Sequence, residues 1–283
     1  MKTIKTTLIA ILALASTSLF AQSVKLPALS PTQSVEQEFS LSKINLTYSR
    51  PSARGRKVFG DVVPFGKIWR TGANKSTYIK FGEDVTIDGQ ALKAGEYSIA
   101  TIPGETEWTI IFNSNTNLWG AMGYKQEEDV LRVKTKVNKT VNFIETFTIE
   151  FQNITTKSAD LEMKWENTSV TLKIQSAVNQ DALIMTSIEE GLKDKRPYFQ
   201  AANYYYQSKR DMNQALTWVN EAIKMDTNAF YMDHLKAKIQ VELKDLKGAL
   251  KTAEISKNKA IRAKNDDYIK NNDNLIADIK KKM

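Results

Sequence analysis

A run of twenty residues, Gly55 to Asn74, holds four glycines, one proline and three aromatics. Glycine and proline interrupt both helical and sheet hydrogen bonding, so no ordinary helix or strand spans this run. It reads as a shaped loop, the kind of segment that carries binding or catalytic groups on a rigid scaffold. Around it the sequence divides into an export signal, a β-rich stretch and a helical tail.

At 283 residues the chain has length enough for two domains, each with its own core. Apolar residues make up 42% and charged residues 25%, ordinary values for a globular protein. The formal charge is +8, of which Lys2 and Lys5 lie in the leader. Residues 181–283 carry 19 Lys+Arg against 15 Asp+Glu, so the basic excess is thinly spread over a mixed-sign surface. An exported chain without a concentrated basic stripe is a poor partner for nucleic acid. There is no cysteine, which removes disulfides, thiolate nucleophiles and Cys-ligated metals together. The single histidine, His234, cannot build a multi-His metal site, and it is expected on a surface or between helices. No metal and no cofactor is expected.

Residues 1–21 read as a signal peptide. Lys2 and Lys5 precede an apolar run from Leu8 to Leu14, and small residues lead to a cleavage point after Ala21. The run is too short to cross a bilayer, and no lipobox cysteine is present. The expected destination is the periplasm or the exterior. Residues 22–40, with Pro27 and Pro31, read as an irregular lead-in. From Ile44 the period becomes two, with Ile44, Leu46 and Tyr48 alternating with Asn45, Thr47 and Ser49. After the loop, strands are expected at 77–81, 85–87, 96–102, 108–112, 131–137, 143–151, 161–165 and 170–174. Asp88-Gly89 and Ala94-Gly95 supply turn chemistry between them. Short strands at this spacing argue an antiparallel sandwich or barrel over residues 41–177.

From about residue 178 the apolar spacing becomes helical, as in Ile184, Ile188 and Leu192. Asp211-Met212-Asn213-Gln214-Ala215-Leu216 recurs as Asp245-Leu246-Lys247-Gly248-Ala249-Leu250, an offset of 34 residues. That is the period of tetratricopeptide helix pairs, in which small residues let paired helices approach closely. Tyr206, Ala215, Ala222, Ala237 and Ala249 fall at the aromatic and small positions of that pattern, whereas Thr227 and Ser256 depart from it. Flanking helices are expected at about 180–194 and 265–281 to cap two such repeats. The fold class is therefore α+β in two domains, with an all-α tetratricopeptide-like unit at residues 178–283.

Chemically, the loop and its neighbours offer cations and amides. Arg50, Arg54, Arg56 and Arg70 each suit a two-pronged contact to a carboxylate, phosphate or sulfate. Asn74 can donate and accept, and Trp69 with Trp119 would offer a flat apolar face to a sugar ring or peptide side chain. The competing reading is bracing: Arg70 pairing with Asp61 or Asp84, and Trp69 buried in the core. The acidic groups Glu105, Glu107 and Glu127-Glu128-Asp129 show no spacing that fixes a glycosidase pair or a calcium loop. No nucleophile elbow, phosphate-cradling loop or nucleotide fingerprint is present.

Ser49-Arg50-Pro51-Ser52, Gly55-Arg56-Lys57-Val58-Phe59-Gly60 and Val63-Pro64-Phe65-Gly66-Lys67-Ile68-Trp69-Arg70-Thr71-Gly72-Ala73-Asn74 resemble the hallmark block of family 2911 of the domains of unknown function. Gly95-Glu96-Tyr97-Ser98, Trp108-Thr109-Ile110-Ile111-Phe112-Asn113, Trp119-Gly120, Tyr124 and Leu161-Glu162-Met163-Lys164-Trp165-Glu166-Asn167 extend the resemblance over about residues 40–175. It implies export in Bacteroidetes-type bacteria, a single β-rich domain and a loop that is a family feature. It carries no catalytic residue across. Arg50, Arg56, Trp69, Arg70, Asn74 and Trp119 are thus candidate ligand contacts.

The leading expectation is an exported binding or scaffolding protein. Its loop would take a small polar or anionic ligand, and its helices would hold a protein partner. A hydrolase acting on envelope carbohydrate or peptide is the alternative, and a purely structural protein the third reading.

Overall fold

The computed structural model describes residues 26–283, in two compact units that divide between Val178 and Asn179. The expected signal at 1–21 lies outside the described residues. Among those described, no helix is long and apolar enough to cross a membrane.

Ten strands build the first unit: β1 Thr32–Phe39, β2 Ser42–Ser49, β3 Thr77–Phe81, β4 Val85–Ile87, β5 Gln90–Leu92, β6 Gly95–Ile102, β7 Glu107–Asn113, β8 Asp129–Lys136, β9 Asn138–Gln152 and β10 Ser158–Ser176. They form a six-stranded sheet in the order β1-β2-β3-β6-β7-β8 and a four-stranded sheet in the order β5-β4-β10-β9. Every pairing is antiparallel. The period-two pattern explains the core: Ile44, Leu46 and Tyr48 of β2 point inward and join Phe81, Trp108, Phe112, Phe147 and Trp165 in one cluster shared by both sheets.

Two expectations need correction. The lead-in 22–40 is not wholly irregular, since β1 pairs with β2 along its length, from Thr32↔Ser49 to Phe39↔Ser42. Its polar composition hid it, because a sheet-edge strand is held by its backbone and here buries only Phe39. The expected strands 161–165 and 170–174 are one strand, β10, broken in register on either side of Glu166. A bulge of this kind reads as a gap in the alternation while the strand runs on.

The sheets are tied where β2 faces β9. The Tyr48 hydroxyl accepts from the Ile149 N–H (2.9 Å) and donates to the Ile149 carbonyl (3.1 Å). Burial pushes the Tyr48 phenol up, so it stays neutral in this position.

Six helices make up the second unit: α1 Gln180–Asp194, α2 Tyr198–Gln207, α3 Met212–Met225, α4 Phe230–Glu242, α5 Leu246–Arg262 and α6 Asp266–Lys282. From α2 onward each helix packs on the next. The recurring aspartates have one job. Asp211 caps α3 by accepting from Asn213 and Gln214 N–H, and Asp245 caps α5 by accepting from Gly248 N–H. Ala215 and Ala249, four residues on, are both fully buried.

Between α4, α5 and α6 runs a polar chain. Buried Asn272 donates to Ser256 Oγ (2.9 Å) and to the Tyr268 carbonyl (2.7 Å). Its Oδ1 therefore accepts from His234 Nδ1–H (2.9 Å), and Ser256 Oγ donates to the Phe230 carbonyl (2.7 Å). Ser256, a departure from the small-apolar pattern, is thus an internal hydrogen-bonding post. Asp233 and Lys259 form an ion pair nearby, mostly out of solvent.

Two outcomes are expected. Tyr48→Phe leaves both backbone groups of Ile149 unpaired in the core and should cost about 1–3 kcal/mol in denaturant unfolding at unchanged m-value. Burial holds the His234 imidazole below its ordinary value of 6.5, opposed by its bond to Asn272 and assisted by the Lys238 charge. The unfolded chain therefore takes up a proton that the native helices refuse. The contribution is fully present above the unfolded value and is lost progressively as pH falls from there through the lower folded value. His234→Gln should flatten the difference in unfolding midpoint between pH 7.5 and pH 5.5, and an unchanged pH profile would contradict this assignment.

Candidate functional site

The glycine-rich loop is pinned at both ends by backbone pairing. As it leaves β2, Ala53 N–H donates to the Glu145 carbonyl (2.8 Å), and Phe147 N–H donates to the Pro51 carbonyl (2.9 Å). At its return, Trp69 and Thr101 of β6 exchange two backbone bonds, each 2.8 Å. Midway, the β10 irregularity aims the Glu166 carboxylate at the loop, where it accepts from Val58 N–H (2.7 Å) and Phe59 N–H (3.3 Å). The Trp69 ring stacks on Trp165 at 6.0 Å and meets Phe147, Phe59 and Trp108 edge-on. Its indole N–H donates to the Gly72 carbonyl (3.0 Å). Gly72 must be glycine for room: a Cβ there would lie 2.8 Å from the Ser49 carbonyl oxygen.

Over this aromatic floor opens a cleft of about 400 Å³, within the range of small-molecule sites. Arg54, Arg56, Arg70, Asn74 and Trp69 line it, with Leu29 from the lead-in, and no lining residue is a carboxylate. Each guanidinium is steered by carbonyl oxygens. Arg54 Nη2 donates to Leu29 (2.6 Å), Arg56 Nε to Ala53 (3.0 Å) and Nη2 to Ser52 (2.9 Å), and Arg70 Nη1 to Asn74 (3.0 Å). Asn74 sits in the left-handed region at φ 58°, with its Nδ2 donating to the Ser30 carbonyl (3.1 Å). Arg70 lies flat against Gly120, where a Cβ would stand 3.0 Å from Nη1. Carbonyl partners orient a guanidinium without neutralising it, and each has five N–H groups. Among the described residues none of the three forms an ion pair. The exposed Glu145 carboxylate accepts from the Arg54 backbone N–H (2.8 Å).

Four of the six candidates, Arg56, Trp69, Arg70 and Asn74, therefore converge, and Arg54 joins them. Arg50 does not line this cleft: its Nε donates to the Phe147 carbonyl (3.2 Å) and its Nη2 to Thr148 Oγ1 (2.8 Å), bracing β9. Trp119, 63% exposed, lies outside the cleft, so the expected flat face of Trp69 and Trp119 does not form. Trp69 is core-packed, as the bracing reading held. Arg70 is not braced by an acid, and Asp84 bonds Lys93 (2.8 Å) instead. The Glu127–Asp129 knot is a folded turn in which Asp129 accepts from Tyr124 (2.7 Å) and Asn113 (2.9 Å). Burial, then the bond to Asp129, pushes the Tyr124 phenol up to about 12. Among the described residues no group of three or more His, Asp or Glu is placed to hold a metal ion.

Sequence reasoning missed Leu29 and Ser30, which reach the cleft only because β1 turns the lead-in back along β2. It missed the role of Glu166 as well, although the break beside Trp165 was its trace.

The class these features define is a two-sheet antiparallel β domain with an arginine-lined cleft over an aromatic cluster. The family described as "Protein of unknown function (DUF2911)" matches residues 30–174, just over half the chain, and the chain belongs to that family. No curated protein and no solved structure matches it.

Thermal unfolding of two variants should separate the roles within the loop. Arg70→Ala removes one carbonyl bond and no ion pair, so it should cost about 1 kcal/mol, a midpoint shift of a few degrees. Trp69→Ala empties part of an aromatic core and should cost about 3–5 kcal/mol. A loss above about 3 kcal/mol at Arg70→Ala would reassign that residue to bracing.

Proposed function

We propose that this is an exported binding or scaffolding protein whose loop cleft takes a small anionic ligand and whose helical tail holds a protein partner. The observation that carries the ligand reading is the cleft itself: three guanidinium groups converge there, oriented by carbonyls, with no carboxylate among the lining residues. Positive charge gathered this way without a counterion is costly unless a mobile anion meets it, and arginine's fork matches carboxylate, sulfate and phosphate oxygens. Export rests on the leader pattern of residues 1–21. The tail reading rests on the 34-residue recurrence, whose two copies place an aspartate cap and a buried alanine alike in α3 and α5. Tetratricopeptide-like stacking of such pairs builds grooves that accept peptide segments.

Calorimetric titration of the full chain with inorganic phosphate and sulfate at low salt tests the cleft. Saturable binding should weaken about tenfold or more in Arg56→Ala/Arg70→Ala, and it should fall with added salt. Equal binding by that variant, or preference for a neutral sugar, would overturn the anionic reading. A protein partner that stays bound to a chain ending at residue 178 would remove the tail from the proposal.

A further inference from the structure

The lead-in reaches the arginine cleft mainly by its backbone. Leu29 and Ser30 line the cleft, yet residues 26–29 are exposed, with Leu26 at 77% and Leu29 at 74%. No buried apolar side chain fixes this stretch to the domain. Among the described residues, two hydrogen bonds hold residues 26–30. Arg54 Nη2 donates to the Leu29 carbonyl (2.6 Å), and Asn74 Nδ2 donates to the Ser30 carbonyl (3.1 Å). One residue further on the hold changes character. The Pro31 carbonyl accepts from Arg50 N–H (2.9 Å), and from Thr32 the chain is paired strand. The segment is thus anchored at its C-terminal end and tied down ahead of that anchor only by side chains of the cleft.

Those two donors belong to the groups that an incoming anion would use. The Asn74 amide has two N–H groups, and its nitrogen already meets both the Ser30 carbonyl and, at 3.4 Å, Ser49 Oγ. It has no N–H to spare for a ligand while Ser30 stays in place. Arg54 spends Nη2 on a neutral carbonyl, whereas a charged oxygen makes a shorter and stronger bond to a guanidinium. Local stiffness favours the docked state. Pro27 and Pro31 bracket the segment, and a residue before proline is kept extended, which presets Ser30.

We propose that residues 26–30 form a strap that competes with the ligand for Arg54 and Asn74. Anion binding releases the strap, and a docked strap lowers the affinity of the cleft. This rests on the anionic reading of the cleft and adds its regulation. The coupling is reciprocal: the factor by which a docked strap weakens the ligand is the factor by which the ligand loosens the strap.

The chain has no cysteine, so a spin label on Leu26→Cys is unique, and Leu26 does not line the cleft. Electron paramagnetic resonance reads the label's mobility while the full chain is titrated with inorganic phosphate at low salt, and calorimetry follows binding on the same sample. The label should pass from a slower to a faster component at the same midpoint as binding. A label on Lys193→Cys, in the helical unit, should not change. In Pro27→Gly/Pro31→Gly the free strap has more conformations to lose on docking, so phosphate should bind about threefold tighter or more. Damage to the cleft would not produce that gain. Saturable phosphate binding with an unchanged Leu26→Cys spectrum would overturn the strap and leave the anionic cleft standing. Equal or weaker binding by a proline variant with the wild-type unfolding midpoint would do the same. Failure of both the wild type and the proline variant to bind phosphate would remove the cleft reading and the strap with it.

Discussion

The stacking of Trp69 on Trp165, with Phe59, Trp108 and Phe147 set edge-on around the pair, is the contact on which the β unit's functional surface depends. A loop with four glycines has more backbone freedom to lose than any other segment of its length. Local hydrogen bonds alone would leave it mobile. Burying one large aromatic from the loop among rings contributed by both sheets offsets that loss. The two-bond exchange between Trp69 and Thr101 then sets the direction in which the next residue, Arg70, must leave the core.

From that anchor the rest of the surface follows in short steps. Thr71 and Asn74 adopt left-handed conformations and Gly72 passes close to Ser49, so the chain reverses tightly after Arg70. The reversal brings the Asn74 carbonyl back to the guanidinium, and Gly120 closes the other side. Phe65 and Lys57 of the same loop line a second cleft, whose charged lining is two lysines and two glutamates. One loop thus borders a guanidinium-lined cleft and a second cleft with apolar walls and charges of both signs. The helical unit uses a different device. It is packed by small residues such as Ala215, Ala237 and Ala249, and it carries a buried polar chain from His234 through Asn272 to Ser256 that joins three helices.

Much of this was legible in the residues. Alternation located β2, β3 and β4, Asp88-Gly89 marked a turn after β4 although β5 beyond it was not expected, and the Asp211/Asp245 recurrence marked a helix-pair period whose two aspartates prove to be helix caps. Those signals are local, since each depends on spacing or capping within a few residues. What escaped was held by partners far along the chain. β1 is polar and is a strand only because β2 pairs with it. Arg50 and Arg70 look alike in sequence, yet one meets β9 carbonyl and hydroxyl oxygens and the other a carbonyl of its own loop. Trp69 and Trp119 promised a shared face, but one is gripped by the core and the other stands outside the cleft.

The sequence by itself determined that a β-rich region precedes a helical one, that cysteine chemistry plays no part, and that the run from Gly55 to Asn74 is a loop rich in cations. It did so because periodicity, composition and turn chemistry act over short range. Only the tertiary structure decided which arginines converge, which tryptophan is buried, and that one loop borders two clefts. Those outcomes depend on groups between 25 and 108 residues apart, such as the Arg54 guanidinium with the Leu29 carbonyl and the Glu166 carboxylate with the Val58 N–H, meeting once the chain is folded.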